Sequence, residues 1–151
     1  RRSRLADRLL EVRLAHDLPL VYVDSVLIEQ ALGQVLDNAI KYSPPSGLIV
    51  VEGRRTHDDV TISVDDQGAG FSEDERERAG ERFFRGGRHA STTTGAGLGL
   101  WIARSFVSVN AGRLDIESPG AGSGSRVSIH LPVARESEEH HTAGAWSASE
   151  A

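Results

Sequence analysis

The sequence predicts an α/β two-layer sandwich, in which a mixed β-sheet is covered on one face by helices. The first observation behind this class is a four-residue recurrence of apolar pairs, which predicts an amphipathic helix over about 26–42. The second is a set of short, alternating segments of strand type on both sides of that helix. The third is the order along the chain: strands, helix, two strands, a long polar segment, helix and two strands.

Local signals define the individual elements. The first helix is predicted to be capped by Asp24 or Ser25 and to end at 43–45, because residues before proline avoid helical angles. A second helix is predicted at 98–110 and is closed by Gly112. Strands are predicted at 9–14 (as an edge strand), 20–23, 48–54, 60–66, 113–118 and 126–131.

Length, composition and charge limit the class of protein. The 151 residues are expected to form one domain at 1–133, followed by a disordered, acidic tail at 134–151. The absence of cysteine excludes disulfides and thiol chemistry, and the six histidines show no metal-ligand spacing. The net charge of −5 argues against nucleic acid as a partner. No apolar run approaches the ~20 residues of a membrane span. The start at Arg1 without an initiator methionine leads us to expect a fragment of a longer protein.

Asp66 is the first candidate for a ligand contact. It shares a face with the apolar residues of the strand at 60–66, and a carboxylate on that side needs a hydrogen-bonded partner. The exocyclic amine of adenine is a suitable donor, whereas guanine would present a carbonyl. Gly68 and Gly70 allow a sharp turn beside the base. A strand that ends in an Asp-Gln-Gly turn is also common, so this segment alone does not decide the function.

Asn38 and its neighbours form a second candidate group. Asparagine is a poor helix former, yet Asn38 lies in the middle of the predicted helix. Its carboxamide oxygen is a possible Mg²⁺ ligand. Lys41 could reach a phosphate and Tyr42 could pack beside a base. Taken singly, Asn38 is about equally well explained as a solvated surface asparagine, and Lys41 is better explained as an ordinary exposed lysine.

The glycine-rich segment at 95–100 leads into the second helix, where backbone N–H groups attract anions. It follows a long polar segment rather than a strand, which distinguishes it from a dinucleotide-binding fingerprint, and no P-loop signature is present. The polar segment, at about 68–96, is interpreted as a lid, and its Arg85 could meet phosphates, although a solvated arginine explains it as well. The candidate phosphate-binding residues of the segment are Gly95, Gly97, Leu98, Gly99 and Leu100.

Five boxes in one order resemble the catalytic and ATP-binding domain of bacterial sensor histidine kinases, in the GHKL superfamily that includes gyrase B, Hsp90 and MutL. The resemblance covers 9–132 and implies a Bergerat ATP-binding fold with a mobile lid. Within the family, the segments 17–21 and 83–86 are most similar to the Kdp type of potassium and osmotic sensor. The five boxes are an N box at 30–43, D-x-G-x-G at 66–70, an F box at 81–86, G-x-G-L-G-L at 95–100 and a last glycine box at 122–125.

The resemblance implies roles for these residues and names the cofactors as ATP and Mg²⁺. Asn38 would hold the metal, Asp66 the adenine amine, and the 95–100 loop the triphosphate. The residues expected to assist are Lys41, Tyr42 and Arg85.

The chain departs from the family pattern at three places. Gln34 stands where these kinases usually carry Asn, so direct contact of Gln34 with Mg²⁺ is in question. Gly80 replaces an F-box aromatic, and 110–112 reads Asn-Ala-Gly instead of His-Gly-Gly. The resemblance also implies that the ATPases of the superfamily carry glutamate at position 34 to activate water, a task that a neutral amide cannot perform. Gln34 and Asn38 are therefore the catalytic candidates of a site that protects ATP from water.

The resemblance implies the ATP-binding part of a kinase, without the histidine that accepts the phosphoryl group. None of the chain's histidines matches an acceptor segment, so the γ-phosphoryl group is expected to go to a histidine on a separate helical dimerisation domain, and then to a response regulator. The fragment is expected to be a monomer and the cytoplasmic part of a membrane-bound sensor, with no direct membrane contact. Two alternatives stay open: a serine kinase of the anti-sigma-factor type and a nucleotide-sensing module without transfer activity.

Overall fold

The computed structural model describes residues 2–5, 7–68, 96–118 and 124–134, which form six strands and two helices. The predicted lid, the F box and the predicted tail lie almost wholly outside these residues. The elements in chain order are β1 (Arg2–Leu5), β2 (Arg8–Leu14), α1 (Ser25–Tyr42), β3 (Leu48–Thr56), β4 (Asp59–Asp66), α2 (Ala96–Val109), β5 (Arg113–Glu117) and β6 (Ser125–Pro132).

The strands form one mixed sheet in the order β1-β2-β3-β4-β6-β5. The β2–β3 pair is parallel, and α1 is the crossover connection that a parallel pair requires. All other neighbours pair antiparallel. The predicted fold class, a sheet with helices on one face, is confirmed.

Both helices pack on the same face of the sheet and enclose a single core. The apolar face of α1 supplies small and β-branched residues, which allow α2 to approach it closely. The most deeply buried core side chains are Ala31, Val35, Ala39, Ile49, Ala103, Val107, Ile129 and Leu131.

The two helices run antiparallel. Asp24 caps α1, because its Oδ1 accepts hydrogen bonds from the backbone N–H groups of Val26 and Leu27 at 3.0 and 3.2 Å. The backbone N–H of Asp24 donates to the side-chain oxygen of Asn110, just beyond α2, at 2.7 Å. The start of α1 therefore lies at the end of α2, and the end of α1 lies towards the start of α2.

Two predictions about the strands were wrong. The strand at 9–14 is not at the edge, because β1 pairs with β2 and becomes the edge itself. The segment 20–23 forms no strand and contributes only an isolated bridge between Val21 and Val133. The first error overlooked a local hairpin, in which Leu5 pairs with Arg8. The second concerns pairing with distant chain, which local alternation does not encode.

A third finding concerns the outer face of β4. Thr61 and Ser63 point away from the helices, as their alternation with Val64 predicts, yet both are only 2% exposed. The Thr61 hydroxyl is hydrogen-bonded to the His130 ring on the neighbouring strand β6 at 3.0 Å. Asp65 lies on the same outer face and pairs with Arg126 at 2.6 Å.

Candidate functional site

Asp66 ends β4 with its carboxylate on the helix side of the sheet, as predicted. It is 9% exposed and both of its oxygens accept hydrogen bonds. The backbone N–H of Gly68 donates to Oδ1 at 2.8 Å, and the hydroxyl of Ser125 donates to Oδ2 at 2.8 Å. These two bonds fix the orientation of the carboxylate before any ligand arrives.

Burial raises the pKa of the Asp66 carboxyl above its ordinary value. The hydrogen bonds from Ser125 and Gly68 oppose that rise, and the negative charge of Asp65 adds to it. Each carboxylate oxygen can accept about two hydrogen bonds, so lone pairs remain for a donor from a ligand. The site thus holds an under-solvated acceptor that another N–H group would stabilise.

Ser125 is a part of this site that the sequence did not reveal, since 122–125 was identified only as a last glycine box. It is 8% exposed and lies opposite Asp66 in the β4–β6 register. Gly124 makes the approach possible: its φ is 81°, and a Cβ there would lie 2.4 Å from the backbone oxygen of Asp66. The local sequence offered only the glycine as a signal, because the register joins residues 59 apart.

Gly68 brings the Asp66 turn against the end of α1. A Cβ at position 68 would lie 2.2 Å from the backbone oxygen of Tyr42. Only a glycine permits this contact. Tyr42 itself is half-buried, and Lys41 is exposed on the same helix end. The backbone of this helix end therefore lies next to the turn that carries Asp66.

Asn38 lies one helical turn before Tyr42 and is 6% exposed. Among the side chains that the structure describes, its Oδ1 is a buried oxygen without a hydrogen-bond partner. Leaving such an acceptor unpaired costs about 1–3 kcal/mol. A carboxamide oxygen is a ligand that Mg²⁺ accepts, so this atom fits the metal role that the resemblance implies.

No group of three or more acidic, histidine or cysteine side chains within the described ranges could hold a metal by itself. An ion at Asn38 would therefore need most of its ligands from water and phosphate, which is the usual way in which Mg²⁺ is bound in nucleotide sites.

Gln34 connects α1 to the start of α2. A Cβ at Gly99 would lie 2.9 Å from the side-chain oxygen of Gln34. Gln34, Asn38 and Tyr42 follow one another at four-residue intervals along α1. This polar stripe runs from the first turn of α2 to the turn at 66–68, and so joins the predicted phosphate end to the predicted base end.

The remaining site candidates divide into two groups. Gly70, Arg85 and Gly95 lie outside the described residues, so their roles stay predictions. Within α2, Leu98 is half-buried, but Leu100 is 2% exposed and belongs to the hydrophobic core. Any contact of residue 100 with a phosphate would have to come from its backbone.

Comparison with known proteins identifies this arrangement. Residues 23–135 match the family described as histidine kinase-, DNA gyrase B-, and HSP90-like ATPase. The chain belongs to this family. It is 37% identical to the sensor-like histidine kinase SenX3 of Mycobacterium tuberculosis strain H37Rv over 111 residues, which are 73% of this chain and 27% of SenX3. The sensor protein KdpD of Clostridium acetobutylicum is 35% identical over 114 residues, 75% of this chain and 13% of KdpD.

A solved structure gives the same result. The mycobacterial sensor histidine kinase MprB superposes with a TM-score of 0.75 and 34% identity, covering 85% of each chain. The chain is therefore an ATP-binding catalytic domain of the histidine-kinase type, and the two alternatives are not favoured. KdpD is similar to about the same degree as SenX3, so the Kdp subfamily stays a prediction.

The chain spans less than a third of the length of these curated relatives. No helix in the described part of the chain is long and apolar enough to cross a membrane.

Proposed function

We propose that this domain binds ATP with Mg²⁺ and delivers the γ-phosphoryl group to a histidine on a separate helical dimerisation domain. The product is a phosphohistidine, which then passes its phosphoryl group to an aspartate of a response regulator. The sensor histidine kinases among its relatives support this assignment. Their description as sensors also supports a membrane-bound parent that carries this domain on the cytoplasmic side. Because dimerisation is assigned to the separate helical domain, this domain alone is proposed to be a monomer.

The observation that carries the proposal is the neutral amide of Gln34 next to Gly99. A base that removes a proton from water would be expected at this position of α1 in an ATP-hydrolysing relative. Gln34 has no basic lone pair for that task. A site that holds ATP without activating water keeps the γ-phosphoryl group available for another acceptor, and positioning then supplies most of the catalysis.

Asp66 selects the base in this proposal. Its carboxylate accepts a hydrogen bond from the exocyclic amine of adenine, while guanine would oppose it with a carbonyl oxygen. The hydrogen bonds from Ser125 and Gly68 hold the acceptor in place, so little order is lost when the base binds.

The phosphate end combines backbone and side-chain groups. The first turn of α2 presents N–H groups to the triphosphate, and the exposed Lys41 adds a positive charge. Asn38 would hold Mg²⁺, whose charge offsets that of the phosphates. Arg85 and the glycines at 70 and 95 complete the proposed set.

None of the chain's histidines lies in a sequence that matches an acceptor segment. The ring of His130 is bonded on both sides, to Thr61 at 3.0 Å and to Asp115 at 3.1 Å. Little self-phosphorylation of this domain is therefore expected.

Phosphotransfer in trans tests the proposal. The domain is mixed with γ-labelled ATP, Mg²⁺ and a histidine-bearing helical hairpin domain. The expected product is an acid-labile, base-stable label on the hairpin, absent when its histidine is changed to Gln. Release of free phosphate without hairpin labelling would indicate an ATPase. An acid-stable label on an added partner would indicate a serine kinase, and no transfer with any hairpin would indicate a nucleotide-sensing module.

A further inference from the structure

Arg8 closes the carboxyl end of α1. It is the first residue of β2 and is half-buried. Its Nη2 donates to the backbone oxygen of Ser43 at 2.9 Å, and its Nε donates to the Ser43 hydroxyl at 3.2 Å. Ser43 is the C-cap residue of α1 and is 4% exposed. A guanidinium group at this place satisfies a terminal carbonyl and complements the negative end of the helix dipole.

Backbone hydrogen bonds accompany the Arg8 contacts. The N–H of Ser46 donates to the oxygen of Asp7 at 3.1 Å, and the N–H of Leu9 donates to the oxygen of Gly47 at 3.0 Å. We call the two segments that these bonds join, 7–9 and 43–47, the seam. Arg8 supplies the side-chain part of the seam, so it can be changed without altering the backbone pairing.

The seam adjoins the base-binding turn. Ser43 directly follows Tyr42, whose backbone oxygen contacts Gly68 on the other side of the helix end. The N–H of Leu48, next to the seam, donates to the side chain of Gln67 at 3.4 Å. The end of α1 is thus held between the seam and the turn that carries Asp66, and a shift of this end would displace the turn.

We propose that Arg8 is a positioning residue for the nucleotide site, which holds the end of α1 against the turn at 66–68 and so sets the affinity for the base. This inference rests on the proposed function, because it presumes that adenine lies at Asp66. Arg8 acts through Ser43 and Tyr42 and touches no nucleotide. Its effect belongs to the base end of the site and is therefore the same for ligands that differ only in the number of phosphates.

The test compares Arg8→Gln with Arg113→Gln, a matched control. Arg113 is also the first residue of a strand and bonds a side chain, Asp115, at 3.0 Å, but on the far edge strand β5. Affinities for ADP and for ATP with Mg²⁺ are measured by calorimetry well below the thermal transition, and the transition of the ligand-free protein is recorded. Arg8→Gln should weaken both ligands by the same factor, about three- to tenfold. Arg113→Gln should bind as the wild type does, and Arg8→Lys should lie between wild type and Arg8→Gln.

Each other outcome decides against a specific claim. Unchanged affinities in a folded Arg8→Gln protein would overturn the inference alone, and so would a loss confined to ATP. No saturable nucleotide binding by the wild type would overturn the proposed function and the inference with it. If Arg8→Gln does not fold, the test uses Arg8→Lys and Ser43→Ala instead, since each keeps part of the contact. Unchanged nucleotide affinity in both variants would overturn the positioning role.

Discussion

The two ends of the α1–α2 pair contain similar polar residues, which differ in how completely their hydrogen bonds are satisfied within the described structure. At the far end, Asn110 uses both halves of its amide: its oxygen accepts from the Asp24 N–H at 2.7 Å, and its Nδ2 donates to the Phe106 carbonyl at 2.8 Å. At the near end, the oxygen of Asn38 is buried without a partner in the described structure, and burial raises the pKa of Asp66. The hydrogen bonds at the far end stabilise the fold, whereas the near end leaves acceptor positions that a ligand can fill.

The largest expected effect comes from Asp66→Asn. The variant keeps the shape of the side chain, but its amide presents a donor to the adenine amine, so affinity for ATP should fall about 10- to 100-fold, the value of one charged hydrogen bond. The ligand-free protein should be as stable as the wild type or more stable, because an under-solvated carboxylate has been removed. Calorimetric titration and thermal unfolding measure the two effects.

Asp65→Asn is the matched control for Asp66→Asn. Asp65 is the adjacent carboxylate on the opposite face of β4 and pairs with Arg126. Its neutralisation changes the net charge by the same amount and should leave ATP affinity unchanged. An equal loss of affinity in both variants would show that overall charge, and not the contact of Asp66 with the base, governs binding.

The second largest effect is expected for Asn38, the asparagine at the site end. Asn38→Ala removes the unpaired oxygen, so ATP affinity in the presence of Mg²⁺ should fall about tenfold, while affinity measured with a chelator should change little. The thermal midpoint of the ligand-free protein should stay near that of the wild type, because no hydrogen bond within the described structure is lost. A large drop in the midpoint with unchanged Mg²⁺ dependence would assign Asn38 a structural role.

The opposite pattern is expected at the far end. Asn110→Ala breaks the link between the start of α1 and the end of α2, and should lower the free energy of unfolding by about 1 kcal/mol. Denaturant unfolding measures this loss. Nucleotide affinity should not change, because the polar stripe at Gln34 and Asn38 lies towards the other end of the helix pair. Weaker ATP binding in this variant would show that the two ends are coupled.

How much the sequence could predict depends on whether a feature is local or joins distant parts of the chain. A cap at Asp24 or Ser25, the length of α1 and the inward direction of Asp66 follow from local signals. All three are confirmed, with Asp24 as the cap. The bond from Ser125 to Asp66 and the bonds from Arg8 to Ser43 could not be predicted, because they join residues 59 and 35 positions apart. A period-2 pattern tells which face a side chain takes, but only the strand register decides what lies opposite.

The smallest expected effect is a pH dependence of stability that Asp66 contributes. Its pKa in the folded protein is raised above the value of 3.8 for a free side chain, so the folded state binds more protons than the unfolded state between these two pKa values. The free energy of unfolding that Asp66 contributes must therefore fall as the pH rises through this window, and stay level above it.

Unfolding of the wild type and of Asp66→Asn at a series of pH values isolates this contribution, since the other titrating groups cancel in the difference. The stability of Asp66→Asn relative to the wild type should rise with pH through the window and then become constant. A difference that falls as the pH rises would mean that the hydrogen bonds from Ser125 and Gly68 outweigh burial. The carboxylate would then already be satisfied without a ligand, and the near end of the helix pair would resemble the far end.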